Sequence, residues 1–205
     1  MAYNDLEIGP DGLARCGWVG NDAEYRRYHD EEWGVPLLSD QALFEKLCLE
    51  AFQAGLSWIT ILKRRPGFRA AFDNFDIETV AAYTDADVGR LMSDERIIRN
   101  RAKIVATIGN ARVAQQLISD NRGALHDLIW SFQPLNRQRA SSCAGDEQPR
   151  FTRLSEVPAQ TTESVQLSKA LKRLGFRFVG PTTMYALMQS AGLVDDHLAG
   201  CHRSH

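Results

Sequence analysis

The sequence predicts an all-α protein, and three observations carry that expectation. Apolar residues recur at spacings of three and four along most of the chain, the period of one helix face, and few stretches show the alternation a half-buried strand requires. Residues that start helices (Ser, Asp, Pro) and a glycine that stops one bracket the periodic runs. The connections are short, apart from one long stretch at 133–160, rich in Pro, Ser, Gln and Arg.

The elements follow in order. Ser39 and Asp40 supply the capping signal for a helix that carries Leu43, Phe44, Leu47, Cys48 and Ala51 on its apolar positions and stops at Gly55. "SWITILKRR" reads as a second helix, broken by Pro66-Gly67. "GFRAAFDNF" follows; Asp76 then opens "DIETVAAYT" and Asp85 opens "DADVGRLMSD". A longer helix covers about 99–118, a short one covers "GALHDLIWSF", and two more are expected near 163–174 and 181–191. No strand is expected and no internal repeat is visible. Residues 1–14 are taken as an N-terminal tail, ahead of a two-part helical domain over 15–205 whose hairpin occupies about 164–191.

With 205 residues, 44% hydrophobic and 24% charged, the chain has ordinary globular composition and can bury a sizeable core. No apolar run approaches the roughly 18 residues of a membrane span. "MAYNDLEIGPDG" lacks the basic head and apolar stretch of a secretory signal, so a soluble cytoplasmic protein, a monomer, is expected. Cys16, Cys48, Cys143 and Cys201 are too few and too scattered for a disulfide framework. The net charge of −2 is uninformative, but its distribution is not. Arg99, Arg101, Lys103 and Arg112 form one basic stretch without an acid, and Lys169, Lys172, Arg173 and Arg177 form another. One-sided basicity on a near-neutral chain suits a polyanion met by one face; a solvated helix surface has the same composition.

"LKRLGFRFVGPTTMYAL" is the most informative local pattern. Gly175 ends one helix where a left-handed cap is needed, and Pro181 sits at the first turn of the next. Phe176 and Phe178 are placed to plug the wedge between the helices, which leaves Gly180 free to approach a ligand closely. The exposed N–H groups of such a helix start favour an anion, and Lys172, Arg173 and Arg177 border it. The pattern resembles the helix-hairpin-helix element that grips a DNA phosphate without reading sequence.

"LVDDHLAGCHRSH" crowds metal ligands into the chain's end. His197 and Cys201 are four apart, the same face of a helix. Two ligands do not close a site; the stretch "RCGWVGNDAEYRRYHDEEWG" offers Cys16 and His29 as the others. Two Cys and two His make a closed tetrahedral set suited to structural Zn2+, which would join the N- and C-terminal segments.

Glu50 poses a separate problem. Leu43, Leu47, Glu50 and Ala54 fall on one line of their helix, so the carboxylate looks inward among apolar neighbours, where an unpaired charge is costly. Such a group is paired with a basic side chain or belongs to a site. Trp18, Tyr25, Tyr28, Trp33 and Trp58 are nearby candidates for an aromatic box, which with one carboxylate would hold a flat, electron-poor ring.

The stretches "RCGWV", "YHDEEWGVP", "LFEKLCLEAFQAGLSWITILKRR", "IIRNRAKIVATIGNAR", "WSF" and "LSKALKRLGFRFVGPTTMYALMQSAGLVDDHLAGC", in that order, resemble the bacterial 3-methyladenine DNA glycosylases of type I, within the helix-hairpin-helix glycosylase superfamily. The resemblance runs from about Arg15 to Cys201. It implies a two-part helical fold, a zinc site on Cys16, His29, His197 and Cys201, and a base pocket of Glu50, Tyr28 and Trp58 with Trp18, Tyr25 and Trp33 around them. It also implies excision of 3-methyladenine from alkylated double-stranded DNA, with phosphate gripped at Gly175, Arg177, Gly180 and Lys172. Glycosylases of the wider superfamily place an aspartate in a stretch similar to "LVDDH", which makes Asp195 a candidate to stabilise the sugar cation; its other reading is an N-cap for the helix carrying His197. No lysine stands where bifunctional relatives keep a nucleophile, so a monofunctional enzyme that leaves an abasic site is expected. The alternatives are a zinc-stapled DNA-binding protein without catalysis, and a zinc hydrolase, for which four protein ligands leave no open position.

Overall fold

In the computed structural model, which describes residues 5–134 and 150–204, nine α-helices follow one short hairpin. The hairpin pairs β1 (Leu6–Ile8) with β2 (Ala14–Cys16), Leu6 opposite Cys16. It was not expected: residues 5–14 belong to the fold and are not a tail. Three residues per strand are too few for a visible alternation. What holds the segment is the chain end, since His202 N–H donates to the Ala14 carbonyl at 2.8 Å.

α1 (Ala23–Glu31) was also missed. Its signal is a side-chain cap, with Asp22 accepting from the N–H groups of Glu24 and Tyr25, both at 3.1 Å. α2 (Asp40–Gln53) begins as expected at Ser39, whose hydroxyl accepts from Ala42 N–H. Asp40 does something else. Its carboxylate accepts from Gly123 N–H at 2.7 Å and His126 N–H at 2.8 Å, and so caps α7 (Ala124–Trp130) from across the core.

α3 (Trp58–Ala71) runs straight through Pro66-Gly67, against expectation. An interior proline costs about 3 kcal/mol. Burial of Phe68 and Ala71 one turn on, each about 1% exposed or less, offsets that cost. Gly67 is required for packing rather than for a break, because a Cβ there would lie 2.6 Å from Arg96 Cβ and 2.8 Å from its carbonyl oxygen.

α4 (Ile77–Ala81) starts at Asp76 as expected, and α5 (Asp85–Ser93) has Thr84 and Asp87 as its capping box. α6 (Arg101–Asp120) is the long helix, capped by Asn100. Within the long loop a 3-10 turn covers Leu154–Glu156; residues 135–149, with Cys143, lie outside the described residues. α8 (Thr162–Leu174) and α9 (Pro181–Ser190) form the hairpin. α2 is central, packing on α3, α6, α7 and α9. Among the described residues no helix is long and apolar enough to cross a membrane.

Candidate active site and metal cluster

A hollow of about 360 Å³ opens where α1, α2, the start of α3 and α9 converge. The helical period places its walls. Tyr25 and Tyr28 lie on one face of α1, Glu50 and Gln53 on one face of α2, and Thr182, Tyr185, Ala186 and Gln189 along α9. Trp18 and Trp33 flank α1, Trp58 is the first residue of α3, and Leu154 and residues 157–159 close one side. The rings form two groups: Trp18 meets Tyr25 at 4.9 Å and Trp33 at 5.0 Å, and Tyr28 meets Trp58 at 5.4 Å between centroids. All five aromatic residues expected in a box therefore line one cavity.

Glu50 lines it too, 4% exposed. Ser190 Oγ donates to Glu50 Oε1 at 3.0 Å; among the described residues no arginine pairs with it. Burial pushes its carboxyl up to about 7, against the opposing pull of Lys46 and the Ser190 hydroxyl. Tyr25 is pushed up to about 12, first by burial and then by the Glu50 charge, and Tyr28 moves up for the same two reasons. Both phenols stay protonated and able to donate.

Three of the four expected metal ligands, Cys16, His29 and Cys201, come together beside this hollow. Ligand atoms of Cys16, His29 and Cys201 all lie within 4.8 Å of one another, and the His197 ring stands 5.0 Å from that of His29. Each histidine has Nδ1 against an aspartate that an arginine holds in place. His29 meets Asp30 at 2.8 Å, with Arg15 Nη2 donating to Asp30 at 2.7 Å. His197 meets Asp195 at 2.6 Å, with Arg150 Nη1 donating to Asp195 at 2.9 Å. An ionised aspartate fixes the tautomer that leaves Nε2 free as a ligand. His197 Nε2 is buried and has no partner. The interaction between the two thiols pushes Cys16 up and Cys201 down, and burial lowers His197 to about 4. A buried imidazole nitrogen without a partner, beside a cluster of two cysteines and a second histidine, fits the donor set for zinc.

Residues 195–198 hold no helix, so the helix on which His197 and Cys201 were to share a face does not exist, and Asp195 does not cap one. The pair converges because the chain turns at 199–200. Asp195 accepts from His197 N–H at 3.2 Å as well as from its ring, and does not line the hollow. The neighbouring Asp196 does: Tyr185 Oη donates to its Oδ2 at 2.6 Å and Gln189 Nε2 at 2.8 Å.

At the hairpin, Gly175 takes the left-handed cap (φ 103°) and Pro181 begins α9, as expected. Asn110 on α6 clamps the turn, accepting from Arg177 N–H at 2.8 Å and donating to the Arg177 carbonyl at 3.1 Å. Only one of the two phenylalanines fills the wedge. Phe176 is 3% exposed, while Phe178 is 39% exposed with φ 58°, and Val179 is buried in its stead. Lys172, Arg173 and Arg177 are all exposed around the α9 N-terminus.

Several site residues were not singled out from the sequence. Thr182, Tyr185, Ala186 and Gln189 recur at three- and four-residue spacing on α9, with Ser190 beside them, but only the tertiary contact with α2 shows that this face meets Glu50. Lys46 precedes Glu50 by one turn and is 7% exposed. Leu56 stands 41% exposed in the loop between Gln53 and Trp58, both of which line the hollow. Lys103 on α6 fastens the start of that loop, with Nζ donating to the carbonyls of Phe52 at 2.9 Å and Ala54 at 2.7 Å.

The sequence matches the family described as methyladenine glycosylase over residues 18–204. It is 50% identical over 189 residues to DNA-3-methyladenine glycosylase 1 of Escherichia coli (strain K12), a match that covers 92% of this chain and 96% of that protein. Its fold is similar to a crystal structure of 3-methyladenine DNA glycosylase I, with TM-score 0.82 and 44% identity over 92% of this chain and 98% of the other. A second crystal structure, of a Tyr-to-Phe variant of such an enzyme in complex with 3-methyladenine, aligns with TM-score 0.79 and 34% identity over 90% of this chain and 94% of that one.

Proposed function

The chain belongs to the methyladenine glycosylase family, and from that premise we propose that it excises 3-methyladenine from alkylated double-stranded DNA by hydrolysing the N-glycosidic bond. The observation that carries this reading is the buried Glu50 carboxylate, unpaired with arginine, in a ring-lined hollow large enough to take a base.

A base stacked in a duplex must leave the helix before any pocket can hold it, at a cost of a few kcal/mol. The hairpin supplies a phosphate grip: the N–H groups at the start of α9 face outward beside Lys172 and Arg177, and Asn110 keeps the turn rigid. Leu56 is placed to enter the gap left by the base, because it is apolar, exposed and on the hollow's rim. Lys103 holds the loop that presents it.

Inside the hollow, 3-methyladenine in DNA carries a positive charge spread over the ring. The faces of Tyr28, Trp58 and their neighbours attract that charge, worth about 2 kcal/mol when desolvated. Glu50 attracts it directly and accepts from the exocyclic amino group. A neutral adenine can offer the same amino group but lacks the charge, and so gains neither the cation–π attraction nor the direct attraction to the carboxylate. Cleavage moves positive charge from base to sugar, so these contacts favour the bound substrate at least as much as the transition state and supply selection rather than rate. The alkylated base is already a good leaving group and needs no proton donor. Asp196, held by Tyr185 and Gln189 and lining the same hollow, replaces Asp195 as the candidate to stabilise the sugar cation.

Cys16, His29, His197 and Cys201 would hold a zinc ion whose chemistry is structural, a closed clamp between the two ends of the chain. Asp30 and Asp195 orient the histidines toward it.

Chromatography of bases released from methylated DNA tests the proposal. Free 3-methyladenine, with the DNA strand left intact at the abasic site, is the expected outcome; tight binding of undamaged duplex without release of any base would refute it.

A further inference from the structure

Lys46 is buried beside the hollow and takes no part in the chemistry above. It sits on α2 one turn before Glu50, the spacing at which helix side chains are neighbours. Its Nζ lies 4.9 Å from the Tyr28 ring centroid and 5.1 Å from that of Trp58, and it donates to Tyr28 Oη at 3.5 Å. Lys46 does not line the hollow, so the ammonium lies behind two of the rings that do.

A buried ammonium needs a compensating charge, and most neighbouring carboxylates are already taken. The charged groups acting on Lys46 are Glu50 and Glu45 on its own helix, Glu32 just beyond α1, and Arg65 on α3. Glu32 is bound by Arg65 and Arg27, and Glu45 accepts from Arg69 at 2.8 Å. Glu50 is left. Around Glu50 in turn stand Lys46, the Ser190 hydroxyl on α9, the Tyr25 and Tyr28 phenols on α1, and Asp196 across the hollow. Lys46 is the sole cation in that set.

We propose that Lys46 is a positioning residue of this site: from behind the Tyr28 and Trp58 rings it favours the ionised form of Glu50 in the empty hollow and orients the Tyr28 hydroxyl, and so extends base recognition to lower pH. The placement matters. A cation inside the hollow would repel a cationic purine, whereas one screened by two rings balances Glu50 without occupying the base's position. By donating to Tyr28 Oη, Lys46 leaves the phenol's own hydrogen free for an acceptor in the hollow. The directions of the shifts agree: burial lowers Lys46, Glu50 pulls it back up, and Lys46 pulls Glu50 down.

The inference rests on the proposed function, and the experiment separates the two. Single-turnover release of 3-methyladenine by the full chain is followed from about pH 5.5 to 8.5 for wild type, Lys46→Met, Lys46→Leu and Lys46→Arg. In parallel, the infrared band of the protonated Glu50 carboxyl is titrated as the difference from Glu50→Gln. Without Lys46 the carboxyl titration and the acid limb both move up by about one unit, so activity at pH 7 falls about fivefold and returns to within about twofold of wild type at pH 8.5; Lys46→Arg keeps the wild-type limb. An unmoved carboxyl titration in a folded neutral variant overturns the inference, as does a loss of activity equal at every pH, which marks packing alone. If wild type released no base, the function would fall while the infrared titration still decided the role of Lys46.

Discussion

Glu50→Gln removes the charge and keeps the shape, and it should stabilise the protein while abolishing its selectivity. In the folded chain the carboxyl titrates near 7, against the ordinary 4.5. Between those two values the native state holds a proton that the unfolded state has lost. Stability contributed by this group therefore falls as pH rises through the window and stays low above it. A shift of this size corresponds to about 3 kcal/mol. Glutamine has no proton to lose and can still accept from the Ser190 hydroxyl, so the variant escapes the penalty. Lys46 then loses its counter-charge, which returns part of the gain and leaves a net of about 1–3 kcal/mol at pH 8. For a chain of this length that is about 2 °C or more in Tm. Urea unfolding of both proteins at pH 4.5 and pH 8 measures it: the variant's advantage should appear only at the higher pH. Release of 3-methyladenine should drop by about a hundredfold or more, the cost of losing one buried charge contact of about 3 kcal/mol. A variant equally or less stable than wild type at pH 8, or one that excises normally, would refute the reasoning.

Three further outcomes follow from the same geometry. Purified protein should contain one zinc per chain; Cys201→Ser should lose it together with several kcal/mol of stability, and metal analysis with thermal melts checks both, a metal-free but equally stable wild type being the contrary result. Asp195→Asn should weaken zinc affinity about 10–100-fold through His197 while changing the single-turnover rate of the zinc-loaded enzyme less than about threefold; a large rate loss at full zinc loading would restore the catalytic reading of Asp195. Leu56→Ala should slow excision from duplex far more than from a single-stranded oligonucleotide, where there is no stack to fill, and equal effects on both would remove Leu56 from base extrusion.

Fold and site were legible from the sequence to different depths. Helix starts written in local chemistry, such as Ser39, Asp76 and Pro181, appear where expected. Features decided by distant contacts do not. Pro66-Gly67 looks like a break until Arg96 is seen packed on Gly67. Asp40 looks like a cap for its own helix, yet its carboxylate serves α7. Glu50 was legible because it shares one line of its helix with Leu43 and Leu47; the aromatic residues were legible because they cluster with it in the first 58 residues. The α9 wall and Lys46 were not, since nothing local marks Ser190 as the partner of a residue 140 positions away.

The metal cluster and the base hollow are one construction. Trp33 packs edge-on against His197 at 4.6 Å, and Trp18 against His29 at 5.3 Å, so two rings of the box rest on two of the proposed zinc ligands. The β1–β2 hairpin and the segment after α9 carry the other two ligands, Cys16 and Cys201. Loss of the clamp would free both chain ends and with them the walls that Trp18, Trp33 and Asp196 supply. A pocket that discriminates by charge needs such support, because each water admitted beside Glu50 raises the local dielectric and weakens the preference for a cation. A zinc ion held by these four residues would therefore contribute to selectivity without touching the base, by fixing the walls around a buried carboxylate that destabilises the fold.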